Sequence, residues 1–213
     1  MKITKNKYTN LYKKLHQVQD NYGTSSVKYL PEISLMIDYL KPKTILDYGC
    51  GKGVLVDLLS RKYPDIKVYG YDPSVPGKNK LPKGKIDLVI NTDVLEHIPS
   101  EILPSVLKNI AKISKNVIFM LHHALAYAIL ENGENAHCTV RPSVWYQNQI
   151  MQIFGDEISV FSGRRHCLSV ITTFPVHPHI MDSYYKILFN TDKNTKKPRG
   201  LKRLWTHLRK MKF

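Results

Sequence analysis

The residues with the clearest chemical potential lie in a glycine-rich turn, DYGCGKG at positions 47–53. An apolar run of the β type ends at this turn, and a helix-like segment begins directly after it. Glycines let the backbone approach a ligand closely, and the first turn of a helix offers unpaired N–H groups. This order is typical of a cradle for a nucleotide-containing cofactor, although the GxGxG spacing disfavours the GxGxxG fingerprint of NAD-dependent oxidoreductases. The predicted cofactor contacts in this turn are Asp47, Gly49, Cys50 and Gly51.

Further polar residues follow two other predicted strands. Asp72 and Pro73 come after the apolar run at 67–71, and Asn91 and Asp93 lie at the end of the next run. A carboxylate placed like Asp72 can accept hydrogen bonds from the hydroxyls of a ribose. Because the carboxyl ends of parallel strands share one edge of a sheet, these residues are also predicted to contact the cofactor.

The elements that position these residues alternate between strand and helix, which predicts a doubly wound parallel sheet with helices on both faces. Two closing segments, joined by a Gly-Arg-Arg turn, predict an antiparallel last strand. The fold class is therefore α/β. The predicted strands are 44–48, 67–71, 86–91, 117–121, 158–162 and 167–174. The predicted helices are 31–39, 54–62, 100–113, 124–130, 142–154 and 198–213, with a turn at 22–26 beside the cofactor and a loop at 175–179.

Taken in order, the segments at 47–53, 71–73 and 87–99 resemble the motifs of class I S-adenosylmethionine-dependent methyltransferases, over residues 20–175. The resemblance implies a Rossmann-like fold, S-adenosylmethionine as cofactor and S-adenosylhomocysteine as product. It places Asp47 and Gly49 at the methionine end and Asp72 at the ribose. Only fourteen residues separate Asp72 from Asp87, which is too few for the usual helix, strand and helix. The third strand of the family is therefore predicted to be reduced.

The segment 131–137, followed by Trp145, resembles a subgroup found in bacterial surface-polysaccharide clusters and bacteriophages. This resemblance implies O-methylation of a saccharide or another small, anionic acceptor. A hydroxyl acceptor benefits from a general base with a pKa near neutral, which favours histidine. The predicted base is His137, followed by His122 and His123. The competing interpretation of any one histidine is a structural or surface role.

The sequence also permits a different use of the segment after the third predicted strand. Asp93, Glu96 and His97, with His137 as a fourth group, have the residue types that ligate Mg²⁺ or another divalent cation. The alternative, which the sequence favours, is that Glu96 and His97 cap the next helix and shape the pocket without a metal.

The charge of the chain limits the kinds of partner that it can bind. The formal net charge is +15, and the segment 191–213 carries nine Lys or Arg residues against one acidic residue. Such charge attracts polyanions in general and does not select among them. The basic amphipathic segment at 198–213 is typical of a helix on an anionic membrane, or of one packed on the domain.

Two other function classes stay open. Methyltransferases that act on exocyclic amines of bases usually carry Asn/Asp-Pro-Pro-aromatic where this chain has NTDV at 91–94. This disfavours base-amine methylation but leaves a ribose or another RNA target open, and a nucleic-acid acceptor is the less favoured alternative. A non-catalytic cofactor-binding partner protein is another.

The predicted organisation is a basic lead-in at 1–22, a cofactor-binding domain at 23–176 and a basic extension at 177–213. Three widely spaced cysteines indicate reduced thiols, and the N-terminus lacks the apolar region of a signal peptide. We therefore expect a soluble cytoplasmic protein, located at the inner membrane face if the segment 198–213 binds lipid.

Overall fold

The sheet is present in the computed structural model of the chain, which describes residues 2–163 and 167–191. Its strands are β1 (Thr44–Tyr48), β2 (Lys67–Tyr71), β3 (Leu88–Thr92), β4 (Val117–His122), β5 (Ser159–Ser162) and β6 (Leu168–Thr172). The spatial order is β2-β1-β3-β4-β6-β5. The first four strands pair in parallel, whereas β6 is antiparallel to both β4 and β5. This confirms the predicted fold class.

The described helices are α1 (Lys2–Val18), α2 (Leu30–Leu40), α3 (Val54–Lys62), α4 (Leu103–Ile113), α5 (Ser143–Phe154) and α6 (Pro178–Thr191). Two 3₁₀ turns occur at Ser25–Tyr29 and Leu95–His97. Local sequence explains several boundaries. Pro31 lies in the first turn of α2, where its missing N–H costs nothing, and Lys41 ends the helix in the left-handed region before Pro42.

The core lies on both faces of the sheet. Along β4, Ile118 and Met120 pack in the cluster that contains α2, α3 and α6, while Val117, Phe119 and Leu121 pack in the cluster that contains α4 and α5. Alternate side chains of a strand point to opposite faces, so a strand buried on both faces reads as a continuous apolar run. The sheet therefore holds its carboxyl edge rigidly between two helix layers.

The predicted reduction of the third strand is confirmed. Residues 72–87 are all described, and they form turns and bends but no strand. As a result β2 is an edge strand of the sheet. The loop after it folds back through a backbone bond from the Asp72 N–H to the Lys78 carbonyl.

Three predictions of secondary structure need correction. The segment 124–130 is not a helix, because its backbone pairs instead with residues 134–136 through an isolated bridge between Ile129 and Asn135. The helix predicted from residue 100 begins at Leu103. The loop predicted over 175–179 ends at His177, because α6 begins at Pro178.

Both flanks of the central domain contribute to its packing. The lead-in was expected to be a polar segment but contains α1, whose Tyr12 and Leu15 pack with Leu130 and Ala136. Helix α6 packs on α2 and buries three apolar side chains, those of Ile180, Tyr184 and Leu188. The predicted helix at 198–213 and most of the Gly-Arg-Arg turn lie outside the described residues. Among the described helices, none has the length and apolar character that a bilayer span requires.

Candidate active site

A cavity of about 520 Å³ opens at the carboxyl edge of the sheet. Its wall is formed by the glycine-rich turn, by the ends of β2, β3 and β4, by α1 and by the segment 124–128. Open α/β sheets bind their ligands in this place, because the chain leaves neighbouring strands in opposite directions there.

The glycine-rich turn lies against the loop at residue 23. Backbone N–H groups of Gly49 and Cys50 donate to the Tyr71 carbonyl over 2.7 and 3.1 Å, which joins the turn to the end of β2. Gly51 has a φ of +51°, and a Cβ there would lie 2.4 Å from the Gly23 carbonyl oxygen. Only glycine permits this conformation together with this approach. The turn expected at 22–26 therefore does form part of the cavity wall.

Asp72 lies where a ribose-binding carboxylate is expected. It is 8% exposed and lines the cavity beside Pro73. Its Oδ2 accepts a hydrogen bond from the Gly51 N–H over 3.0 Å, and its Oδ1 accepts one from the Ser74 N–H over 2.8 Å. Each carboxylate oxygen can accept a further bond. Asp72 thus orders the turn and can still receive hydroxyl donors.

Three of the predicted cofactor residues lie behind the wall. Asp47, Cys50 and Asn91 are buried and are absent from the described lining of the cavity. Burial, followed by repulsion from Asp72, raises the pKa of Asp47 to about 7. Within residues 2–163 and 167–191, neither carboxylate oxygen of Asp47 has a hydrogen-bond partner. The Asn91 amide donates to the Tyr48 carbonyl over 2.7 Å, and burial raises the pKa of the Cys50 thiol to about 12.

Asp93 anchors the opposite end of the cavity. It has a φ of +54°. Its carboxylate accepts hydrogen bonds from the Ser25 hydroxyl, the Lys28 ammonium and the Tyr29 hydroxyl, over 2.7, 3.1 and 3.1 Å. Burial alone would raise the pKa of Asp93, but the hydrogen bond from His122 and the nearby cations hold it well below its usual range. The carboxylate is therefore ionised and already engaged.

Two of the three predicted bases reach the cavity. His122 and His137 line it, with ring centroids 6.0 Å apart and the rings stacked. The His122 Nε2 lies 3.3 Å from an Asp93 oxygen. His123 is not in the described lining, since its ring nitrogens bond to the Arg141 carbonyl and the Ser169 hydroxyl.

Glu96 and His97 also belong to the end of the cavity at which Asp93 lies. Glu96 is fully buried, and burial, followed by repulsion from Asp93, raises its pKa to about 8. Burial, followed by repulsion from His137, lowers the pKa of His97 to about 4. The His97 and His137 rings meet edge to face with centroids 4.7 Å apart. The His97 imidazole is therefore neutral at neutral pH.

The sequence did not predict the aromatic wall supplied by α1. Tyr8, Tyr12 and His16 line the cavity together with Tyr22. The Tyr12 hydroxyl lies 2.8 Å from the His97 carbonyl and 2.9 Å from the Ala136 carbonyl. The signal was present in the spacing of Tyr8, Leu11, Tyr12 and Leu15, which places these side chains on one helical face. The many lysines in this segment make it look polar and hide this spacing.

Comparison with known proteins places the chain in a family. Residues 25–164 match the methyltransferase domain family. A curated relative, ribosomal RNA small subunit methyltransferase C of Buchnera aphidicola subsp. Baizongia pistaciae (strain Bp), is 33% identical over 94 residues, which are 44% of this chain and 28% of that protein. The chain thus spans less than a third of the length of that relative.

Solved structures share the fold. An O-methyltransferase family protein from Burkholderia thailandensis gives a TM-score of 0.53 at 12% identity, covering 75% of this chain and 60% of that one. The DhpI–SAH complex also gives 0.53, at 14% identity, covering 77% of this chain and 94% of that one.

The chain therefore belongs to the methyltransferase domain family. The residues present fit S-adenosylmethionine, the cofactor that the sequence motifs predict. Gly23 and Gly51 both line the cavity, and Asp72 offers oxygens to ribose hydroxyls.

Proposed function

We propose that the protein transfers the methyl group of S-adenosylmethionine to a hydroxyl oxygen of a small saccharide or similar anionic acceptor. The observation that carries the proposal is the pair of cavity-lining imidazoles, His122 and His137, at the end of the cavity opposite Asp72. Histidine is suited to take a proton from a hydroxyl near neutral pH.

The hydrogen bonds of the two rings support this role. The His137 Nδ1 bonds to the Ala124 carbonyl, which can only accept, so Nδ1 carries the proton and Nε2 keeps its lone pair. The His122 Nε2 faces the ionised Asp93, so that nitrogen carries the proton and Nδ1 keeps its lone pair. Either ring can therefore accept a proton from an acceptor in the cavity.

The reaction requires little beyond alignment and one proton acceptor. Bound S-adenosylmethionine supplies a methyl group on a positively charged sulfur, which is a good leaving group. With the cofactor held by the glycine-rich turn and Asp72, the cavity would position the acceptor hydroxyl for this transfer, and such positioning supplies much of the acceleration. As the new carbon–oxygen bond forms, the hydroxyl proton passes to an imidazole. The products are a methyl ether, S-adenosylhomocysteine and a protonated histidine.

The mouth of the cavity supports a saccharide acceptor. Tyr127 is fully exposed and Leu125 is 70% exposed, and both line the cavity. An exposed aromatic ring offers a flat apolar surface on which the C–H face of a sugar ring can stack. Lys28, also in the wall, is 45% exposed and can pair with an acidic substituent. The segment that resembles the polysaccharide subgroup contributes His137 to the cavity, whereas Glu131 and Glu134 pair with lysines of α1.

One observation favours a second candidate, an RNA acceptor. The curated relative with 33% identity is named as a ribosomal RNA methyltransferase, and the net charge of +15 suits a polyanion. Against methylation of a base amine, the NTDV segment at 91–94 lacks the prolines typical of enzymes with that activity, and Asp93 within it is engaged by Lys28. This argument leaves a ribose hydroxyl or another RNA target open.

The test is transfer of a radiolabelled methyl group from S-adenosylmethionine to panels of nucleotide sugars, oligosaccharides and RNA. The proposal predicts label in the saccharide fraction as an alkali-stable methyl ether. His122→Ala is expected to lower kcat by about 10²-fold or more, as removal of a general base does, while His179→Ala on the exposed surface of α6 leaves it unchanged. Label found in RNA alone would replace the saccharide by the second candidate.

A further inference from the structure

Glu96, His97 and His137 form a compact cluster at the acceptor end of the cavity. One potential ligand atom from each residue lies within 4.8 Å of those of the other two. We propose that these three side chains bind one divalent transition-metal cation. The binding site itself does not depend on the proposed acceptor.

The carboxylate of Glu96 is the first argument for a ligand. Glu96 is 0% exposed, and its Oε1 accepts a hydrogen bond from the His122 N–H over 2.9 Å. Its Oε2 is buried and has no hydrogen-bond partner in the part of the chain that the structure describes. A buried polar oxygen without a partner is costly, and buried polar groups are normally hydrogen-bonded or coordinate a metal. Among the described residues, no cationic side chain pairs with Glu96, so a bound cation is the partner that the site lacks.

The orientation of the two imidazoles is the second argument. The His97 Nδ1 lies 2.7 Å from the Ala136 carbonyl, and the His137 Nδ1 bonds to the Ala124 carbonyl. A carbonyl only accepts, so both Nδ1 atoms carry protons and both Nε2 atoms keep lone pairs. Metal-binding histidines are held in this way, with the second ring nitrogen donating to a backbone carbonyl or a carboxylate.

The site differs from the four-residue set that the sequence suggested. Asp93 is not available as a ligand, because Ser25, Lys28, Tyr29 and His122 already engage its carboxylate. The remaining set is two imidazoles and one carboxylate. This set suits Mn²⁺, Fe²⁺, Co²⁺ or Zn²⁺ better than the all-oxygen preference of Mg²⁺ and Ca²⁺.

Three protein ligands leave coordination positions open, and the position of the site shows what can fill them. His97 and His137 line the cavity, so the open positions face the space reserved for the acceptor. A cation that binds a hydroxyl oxygen lowers the pKa of that hydroxyl. If the proposed function is correct, the acceptor is a vicinal diol or hydroxy acid that chelates the cation. His137 is then a metal ligand, and His122 receives the proton.

The experiment measures metal binding without turnover. Untagged full-length protein is stripped with a chelator and titrated with Co²⁺ alone, and the visible absorption of the bound ion is recorded. The expected result is one Co²⁺ per chain with a spectrum that reports nitrogen ligation. Glu96→Gln and, separately, His137→Ala should each weaken binding at least about tenfold, since even loss of an outer-shell partner has this effect.

Two controls make the result specific. The exposed His177 and His179, whose rings lie 4.6 Å apart, are the main alternative site for adventitious cobalt, so His179→Ala must leave the binding unchanged. Asp72→Ala should lose the thermal shift given by S-adenosylhomocysteine while it keeps Co²⁺. The Glu96 and His137 variants should show the reverse, which also proves that they are folded.

The proposal is overturned if the wild type binds no Co²⁺, or if Glu96→Gln and His137→Ala bind it as the wild type does. It is also overturned if His179→Ala abolishes binding. These outcomes are independent of methyl transfer, because a protein that binds cobalt at this site but labels no saccharide would contradict the proposed function alone.

Discussion

Replacement of Asp47 by asparagine should stabilise the cofactor-free protein in a pH-dependent way. Asp47 is 1% exposed, and burial, followed by repulsion from Asp72, raises its pKa from 3.8 to about 7. One pKa unit corresponds to about 1.4 kcal/mol. A shift of about three units therefore means that holding Asp47 ionised in the folded state costs about 4 kcal/mol.

The sign of the pH dependence follows from the direction of the shift. Because the folded pKa lies above the unfolded one, the folded protein keeps a proton that the unfolded chain releases between about pH 4 and pH 7. The contribution of Asp47 to the free energy of unfolding therefore falls as pH rises through this window, and it is constant above it. Asparagine does not titrate, so the wild type should lose about 4 kcal/mol relative to Asp47→Asn between these limits.

The assay is urea unfolding of both proteins at steps from about pH 4.5 to pH 8, compared through the difference in free energy of unfolding. Other carboxylates titrate equally in both proteins and cancel in this difference. Asp65→Asn, at an exposed position, is the matched control and should run parallel to the wild type. Parallel curves for Asp47→Asn as well would refute the reasoning, because they would show that the fold satisfies the ionised carboxylate.

Two further substitutions test how the cavity is built. Gly51→Ala should abolish binding of S-adenosylhomocysteine, measured calorimetrically, because the new Cβ would meet the Gly23 carbonyl at 2.4 Å. Gly133→Ala controls for backbone strain alone, since Gly133 has a φ of +83° but a Cβ there would enter open space. It should lower the free energy of unfolding by about 1 kcal/mol and leave binding intact. Tyr12→Phe should lower the free energy of unfolding by about 1–3 kcal/mol in urea, since it deprives a buried site of its donor. Tyr127→Phe, at an exposed position, should be neutral.

The glycine-rich turn and the strands beside it were predictable from local sequence. The turn at 47–53, Asp72 and the strands that precede them follow from glycine positions and apolar periodicity, which act over a few residues. The helix predicted over residues 124–130 is absent for the opposite reason. Their composition favours a helix, but tertiary pairing with 134–136 and burial of Leu130 under α1 override that preference.

The sequence alone thus determined the sheet, the reduced third strand and the glycine-rich turn at the carboxyl edge of the sheet. Only the tertiary structure decided which side chains form the end of the cavity that contains His122 and His137. There α1 folds over the cavity, and Lys28 neutralises Asp93. Glu96, His97 and His137 converge although about 40 positions of chain separate the last from the first two. The reason is physical, because local conformational preference is encoded in neighbouring residues, whereas the partner of a carboxylate and the free nitrogen of an imidazole depend on groups brought close by folding.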